Sequence, residues 1–209
     1  MNKILDPCCG SRMFWFDKNC PGVEFCDNRE LSDTLCDGRK LEVKPDVKMD
    51  FRDMKFAKGS YKLVVFDPPH MNSLGKNSWM AKKYGVLGET WRDDLRKGFS
   101  ECFRVLEDGG VLVFKWNESD IKVREVLELV GYKPLFGHKS GKLMKTHWIT
   151  FMKSAEFVQI ANHSHQTKPG SESNPGMALP KSSNVGIGFN PAGDTSLNLK
   201  KPHPKGGEE

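Results

Sequence analysis

The sequence predicts an α/β fold, a mostly parallel sheet closed by an antiparallel terminal hairpin, followed by a disordered low-complexity tail. Three observations carry this. Across residues 1–153, short apolar runs alternate with stretches of helical period, which is the rhythm of strands joined by crossovers. Nearly every apolar run stops abruptly at Asp, Pro or Gly. From residue 154 the composition changes: among the last 56 residues, Pro, Gly, Ser and Asn account for 25. The chain of 209 residues is 37% hydrophobic, below the about 45–50% usual for globular domains. The tail accounts for that shortage, because residues 161–209 cannot bury enough apolar surface to offset the entropy of ordering. Two domains are therefore expected, a folded one over 1–153 and a tail over 154–209, the latter either solvated or ordering on a partner.

The elements follow in order. Residues 1–5 form a short strand ending at Asp6-Pro7, and the small-residue turn after it leads into a short helix. Residues 23–26 form a second strand ending in Asp27, and residues 46–49 a weak third one after an irregular link. Residues 62–66 (KLVVF) are the clearest buried strand, with β-branched residues inside and Asp67-Pro68-Pro69 stopping it. Residues 89–106 are the clearest helix: Trp91, Leu95, Phe99, Cys102, Phe103 and Leu106 share one face. Thr90 with Asp93 resembles a capping pair, and Asp108-Gly109-Gly110 ends the helix. A fifth strand spans 111–116 and a helix 121–130. Residues 134–139 and 146–153 close the fold as an antiparallel hairpin, and the parallel strands require a sheet covered on both faces.

Several classes are excluded by composition. No run approaches the roughly 18 apolar residues of a membrane span, and residues 1–6 are too short for a signal peptide, so a cytoplasmic protein without membrane contact is expected. Six cysteines in such a chain read as reduced thiols. Cys8, Cys9, Cys20 and Cys26 lack the CxxC spacing of structural zinc, and no metal is expected. Lys and Arg total 32 against 27 Asp and Glu; the five lysines of the tail balance its five acids, so the net +5 belongs to residues 1–153. A mildly basic domain is compatible with a polyanionic partner.

Ligands of open α/β sheets sit beyond the carboxyl ends of the strands, so the residues that end each run are the candidates. The first end reads Asp6-Pro7-Cys8-Cys9-Gly10-Ser11-Arg12, where Gly10 lets the backbone approach a ligand. Asp27 follows Gly10 by 17 residues, a spacing that suits an acid accepting both hydroxyls of a ribose. No GxGxxG is present, which disfavours a dinucleotide. The fourth end is Asp67-Pro68-Pro69-His70.

LDPCCGS, followed some 60 residues later by VVFDPPH, resembles the class I methyltransferases that depend on S-adenosylmethionine (SAM). More narrowly it is similar to the amino-methyltransferases of the Asp-Pro-Pro-aromatic type that act on adenine N6 of DNA. The likeness covers about residues 1–153, implies a Rossmann-like sheet, and suggests a phage or prophage origin. It implies SAM as cofactor, with Asp6, Pro7, Cys8 and Gly10 in the first binding motif, Asp27 on the ribose, Asp53 on the adenine amino group and Met54 as its apolar neighbour. The chain starts directly on its first strand, so Arg12 stands in as partner for the SAM carboxylate.

The chemistry explains the catalytic residue types Asp67, Pro68, Pro69 and His70. An exocyclic base amine has its lone pair delocalised into the ring and is a poor nucleophile. Two acceptors aimed at its N–H bonds, the Asp67 carboxylate and the Pro68 carbonyl, favour tetrahedral nitrogen and stabilise the developing charge. The prolines fix φ, and the fourth position supplies a flat ring for stacking. His70 departs from the aromatic usual there and puts the target base in question.

Residues 71–88 are too long and irregular for a simple turn. With Trp79, Lys82 and Lys83 they read either as a lid that meets phosphate and stacks an extruded base, or as a loop whose Trp79 packs on the core. Lys115 joins these as a substrate contact, and Trp116 beside it belongs either to the crevice or to the core. The hairpin residues His138, Lys139, Lys142, Lys145, His147 and Trp148 form a nucleic-acid rim or a solvated face. The expected activity is methylation of a nucleobase amino group, adenine N6 in DNA before RNA adenine N6 or guanine N2. Cytosine N4 and a protein glutamine amide fit the same chemistry. With no recognition domain of useful size, specificity is short or comes from a partner or a second copy. The alternative of another class is a non-catalytic module that binds nucleic acid or a partner.

Overall fold

A computed structural model describes residues 3–75 and 78–158 of the chain. The expected tail beyond 158 lies outside the described residues, as does the start of the first strand. Among the described residues, nine strands and three α-helices follow in the order β1 (Ile4–Asp6), β2 (Val23–Asp27), β3 (Leu31–Thr34), β4 (Lys40–Val43), β5 (Val47–Lys48), β6 (Tyr61–Phe66), α1 (Trp79–Tyr84), α2 (Trp91–Val105), β7 (Leu106–Asn117), α3 (Val123–Leu127), β8 (Phe136–Ser140) and β9 (Thr146–Met152).

Seven strands form one sheet in the order β5-β2-β1-β6-β7-β9-β8. The pairs β1–β2, β1–β6, β2–β5 and β6–β7 are parallel, and β9 runs antiparallel to both β7 and β8. This is the mostly parallel, Rossmann-like sheet with an antiparallel terminal hairpin that the sequence predicts. The strand order reverses between β1 and β6, and a crevice opens at the carboxyl ends of strands flanking such a switch point.

Strand alternation sends successive residues to opposite faces. Leu5, Cys26, Val64, Phe66, Leu112, Phe114 and Trp116 join the main core, where α2 contributes Trp91, Leu95, Phe99, Cys102 and Phe103. Helix α2 lies so close that a Cβ on Gly98 would come within 2.7 Å of the Phe51 ring and 2.9 Å of Phe66. Val126 of α3 joins the same cluster. The opposite face holds a smaller cluster of Cys9, Val23 and Phe25 with Trp15 packed against it.

Several expectations are corrected. The crossover from β1 to β2 carries no helix; residues 7–22 are a chain of turns. Gly10 (φ 49°) and Arg12 (φ 54°) both adopt the left-handed conformation, which breaks a helical run, and Trp15 anchors the loop instead. The helices α2 and α3 share one core cluster, so helices on both faces are not found among the described residues, and Val111 and Val113 on the other face of β7 are half-buried. Helix α2 stops at Val105 rather than 106, and β7 starts at once, because the Gly109 N–H and Gly110 carbonyl pair with the backbone of Lys153. No side chain caps α2: Thr90 Oγ1 bonds Asp94 Oδ2 at 2.9 Å instead of a backbone amide. Helix α3 spans only five residues. The link before β5 contains a separate antiparallel hairpin, β3–β4. The body also runs past residue 153: Lys133 N–H bonds the Phe157 carbonyl at 2.7 Å, and Tyr132 bridges Val158.

Candidate active site

Because β1, β2, β6 and β7 run parallel, Asp6, Asp27, Asp67 and Lys115 arrive at the same edge of the sheet. A crevice opens there in two lobes. The first is lined by Pro7, Cys8, Asp27, Phe51, Arg52 and Pro69, among others. The second is lined by Gly10, Phe14, Pro68, His70, Lys83 and Lys115, among others. Cys8, Arg29, Asp67 and Tyr84 face both and form the wall between them.

Asp6 is fully buried beneath this wall, accepting from Cys8 N–H at 3.2 Å and Trp15 Nε1 at 2.7 Å. Burial outweighs those two bonds, and the nearby carboxylates of Asp67 and Asp27 add to it, so the Asp6 carboxyl is pushed up to about 7. Asp6 therefore acts as a support for the turn rather than as an exposed contact. Burial likewise pushes the Cys8 thiol well above its ordinary range.

Asp27, also buried, accepts from Gly10 N–H at 3.0 Å and from Arg29 N–H at 2.9 Å. The Arg29 guanidinium grips both of its oxygens, Nε at 3.0 Å and Nη2 at 3.1 Å, and donates from Nη1 to the Lys82 carbonyl of α1 at 3.2 Å. One arginine thus ties the end of β2 to the segment that follows the Asp67 turn.

Asp67 Oδ2 accepts from Lys115 Nζ at 2.5 Å. Lys115 itself lies 5.5 Å from the Phe14 ring centroid and 5.7 Å from that of Trp148. His70 stands 6.0 Å from Tyr84 and 6.1 Å from Trp116, centroid to centroid. Burial lowers the His70 pKa, aided by the Lys115 charge and opposed by the neighbouring Asp67 carboxylate and by a hydrogen bond to the Pro68 backbone. Trp116 is core, with its Nε1 on the Ile121 carbonyl at 3.0 Å. The second lobe therefore offers an acceptor and a donor side by side within a rim of rings.

Other candidates lie elsewhere. Arg12 is committed to the first loop's own architecture: it donates to the carbonyls of Lys18 at 2.6 Å and Lys44 at 2.9 Å, pairs with Asp46 at 2.8 Å and stacks on Phe25 at 4.0 Å. That excludes it as a carboxylate partner in the crevice in this arrangement. Asp53 is exposed and paired with Lys55, and Met54 is buried in the core. Phe51 and Arg52, two and one residues earlier than Asp53, line the first lobe instead, because the turn after Met49 aims them inward. Arg52 is held by Asp50 at 2.5 Å and Asp94 at 2.9 Å. Lys82 pairs with Asp33 of β3 at 2.6 Å and so faces away from the second lobe, which Lys83 lines. Trp79 is exposed and joins no core cluster. Sequence reasoning missed Phe14, Arg29 and Phe51, whereas Tyr84 falls in the 71–88 segment read as a lid and does line the crevice. Only Phe51 carried a signal, as the apolar residue following Asp50 in the strand-end pattern Met49-Asp50-Phe51.

Among the described residues, no group of three or more His, Cys, Asp or Glu is arranged to hold a metal, and no helix is long and apolar enough to cross a membrane. No protein family's sequence profile matches this chain, and no curated protein does. Among solved structures it is similar to a Pyrococcus horikoshii protein, with 15% identity over 72% of this chain and 81% of that one at a TM-score of 0.47. It is also similar to a TehB-like SAM-dependent methyltransferase from Corynebacterium glutamicum, with 15% identity, 73% and 80% covered, and a TM-score of 0.46. A T. thermophilus 16S rRNA N2 G1207 methyltransferase, solved with AdoMet and guanosine, gives 17% identity, 73% and 35% covered, and a TM-score of 0.42. These likenesses are loose, and the functional reading rests on residues of this chain.

Proposed function

We propose that the chain is a SAM-dependent methyltransferase acting on the exocyclic amino group of a nucleobase, adenine N6 in DNA first among the candidates. The observation that carries this reading is the Asp67-Pro68-Pro69 turn ending a buried parallel strand, open to both lobes of one crevice.

The first lobe fits the cofactor. Asp27 is a buried strand-end carboxylate whose guanidinium donors can be exchanged for those of a vicinal diol, Gly10 brings its N–H to the same group, and Phe51 supplies an apolar ring. Bound there, SAM supplies an electrophilic methyl group on a sulfonium. The chain's own part is positional and electrostatic. Asp67 accepts one N–H of the target amine and the Pro68 carbonyl the other, holding the nitrogen lone pair toward the wall between the lobes. As nitrogen gains charge, the Asp67 carboxylate stabilises it. His70, whose burial disfavours its charged form, and Tyr84 offer flat faces to the base.

Lys115 sharpens the substrate. With Nζ beside Asp67 Oδ2, the lobe presents a donor next to an acceptor. A primary amine flanked by a ring acceptor matches that pair, as in adenine (N6 beside N1) and cytosine (N4 beside N3). The Watson–Crick edge of guanine, where N1–H is a second donor, does not.

Mass spectrometry of nucleosides from the DNA and RNA of cells expressing the wild type or Asp67→Ala tests the reading. A methylated base present with the wild type and absent with the variant is expected, and the fraction that carries it names the polymer. No difference in either polymer, or no SAM binding by calorimetry, removes the enzymatic reading in favour of a non-catalytic binding module.

A further inference from the structure

The sequence points to a short loop, a terminal hairpin and a tail as surfaces for reading a polymer. The structure adds the β3–β4 hairpin, which stands opposite the loop between β1 and β2. A groove runs between them, lined by Lys18, Arg39, Lys40, Glu42, Lys44 and Asp46, among others. Gly10, Ser11, Met13 and Lys83 line this groove and also the second lobe, so the two are continuous.

The charge of the groove is unbalanced. Asp46 is neutralised by Arg12, and Arg39 pairs with Asp37. Among the described residues, Lys18, Lys40, Lys44 and Lys83 form no ion pair, which leaves four cations against the single acid Glu42. The cations sit on separate elements, Lys18 on the loop, Lys40 opening β4, Lys44 just beyond it and Lys83 on α1, so the charge follows the groove rather than one helix face. On the loop bordering it, Phe16 is fully exposed and Met13 largely so. Cations that track a backbone are the electrostatic ingredient of single-strand binding, and Phe16, two residues before Lys18 on the same loop, offers an exposed ring on which a base can stack.

We propose that this groove holds the sugar-phosphate backbone of a single-stranded nucleic acid, flanking the nucleotide whose base enters the second lobe. The assignment deepens the methyltransferase reading and rests on it for the occupant of that lobe. An unpaired strand also delivers its base amine without the unstacking that a duplex requires.

The test uses fluorescence anisotropy with fluorescein-labelled 12-nucleotide single strands of DNA and of RNA, and the DNA duplex, across a salt series. Lys18→Glu/Lys40→Glu/Lys44→Glu is compared with the wild type and with Lys58→Glu/Lys62→Glu/Lys97→Glu, which changes net charge equally at exposed positions outside the groove. For the wild type, log affinity should fall linearly with log salt. Losing three phosphate contacts should flatten that slope by about 2 and weaken binding at least about tenfold near 0.1 M salt, with the control triple variant changing less than about threefold. Binding of either single strand in this manner supports the groove, and the tighter of the two names the polymer. Equal losses from both triple variants, or tighter binding of the duplex than of its single strand, overturn it. Calorimetry of SAM with the same proteins separates the two readings. Strand binding lost from the groove variant with SAM never bound leaves the groove standing and removes the methyltransferase. Methylation abolished by Asp67→Ala with strand affinity unmoved in the groove variant does the reverse.

Discussion

Asp6 and Asp67 end neighbouring strands, yet their surroundings give them opposite duties. Asp67 faces the crevice beside Lys115, and its replacement by Ala should lower methyl transfer by about 100-fold or more while leaving SAM affinity within a few-fold. Radiolabelled methyl transfer and calorimetry measure the two. Asp6 is sealed beneath the wall, and its carboxyl titrates at about 7 rather than 3.8. Between those values the folded chain holds a proton that the unfolded chain has released, so stability falls as pH rises through that window and the penalty is fully present above it. Asp6→Asn, which removes the titration but keeps an acceptor for Trp15, should flatten the pH dependence of the urea midpoint across that window. An unchanged slope would show that other groups set it. These acids could be named from the sequence because each ends a strand. Arg29 could not, since nothing in its local spacing shows which way a turn aims a side chain, and Phe51 offered only its place after Asp50.

At the scale of elements, α2 is the piece most exposed to small changes. The contact of Gly98 with Phe51 and Phe66 leaves no room for a methyl group. Gly98→Ala should destabilise by about 1–3 kcal/mol, despite the better helix propensity of Ala, and lower Tm by roughly 3–10 °C in a thermal melt. Because Phe51 lines the first lobe, SAM binding should weaken in the same variant. Helix α1 is short, without a side-chain cap or a buried residue, and Arg29 Nη1 on the Lys82 carbonyl ties it to β2. Arg29→Ala should therefore speed amide hydrogen exchange over residues 79–84 while leaving α2 protected. Strong periodicity made α2 and the buried strands readable. The β3–β4 hairpin escaped although Asp37-Gly38, with Gly38 at φ 79°, is a recognised hairpin turn, because Leu31–Thr34 is too polar to look like a strand. The helix expected after β1 failed for a conformational reason, the left-handed Gly10 and Arg12, that a residue pattern does not display.

For the molecule as a whole, burial of the cysteines offers a probe of global unfolding. All six are free thiols; Cys36 is exposed, whereas Cys9, Cys26 and Cys102 are buried. A thiol reagent should label Cys36 first under native conditions, and these three only at the rate at which the whole domain opens. Fast labelling of Cys102, held between α2 and the sheet, would show that the helix detaches on its own. The sequence by itself determined the sheet: buried strands, like the crossover helix α2, announce themselves through hydrophobic period, and a parallel sheet brings its strand ends, here Asp6, Asp27, Asp67 and Lys115, to one edge. Tertiary structure alone decided the use of the charges between those ends. It committed Arg12 to the loop, turned Asp53 outward, set Arg29 on Asp27, and faced a basic loop with a hairpin to make a groove. Hydrophobic burial is periodic along a chain and can be read from it, whereas partners of charged side chains are chosen in space by loops whose path depends on everything they pack against.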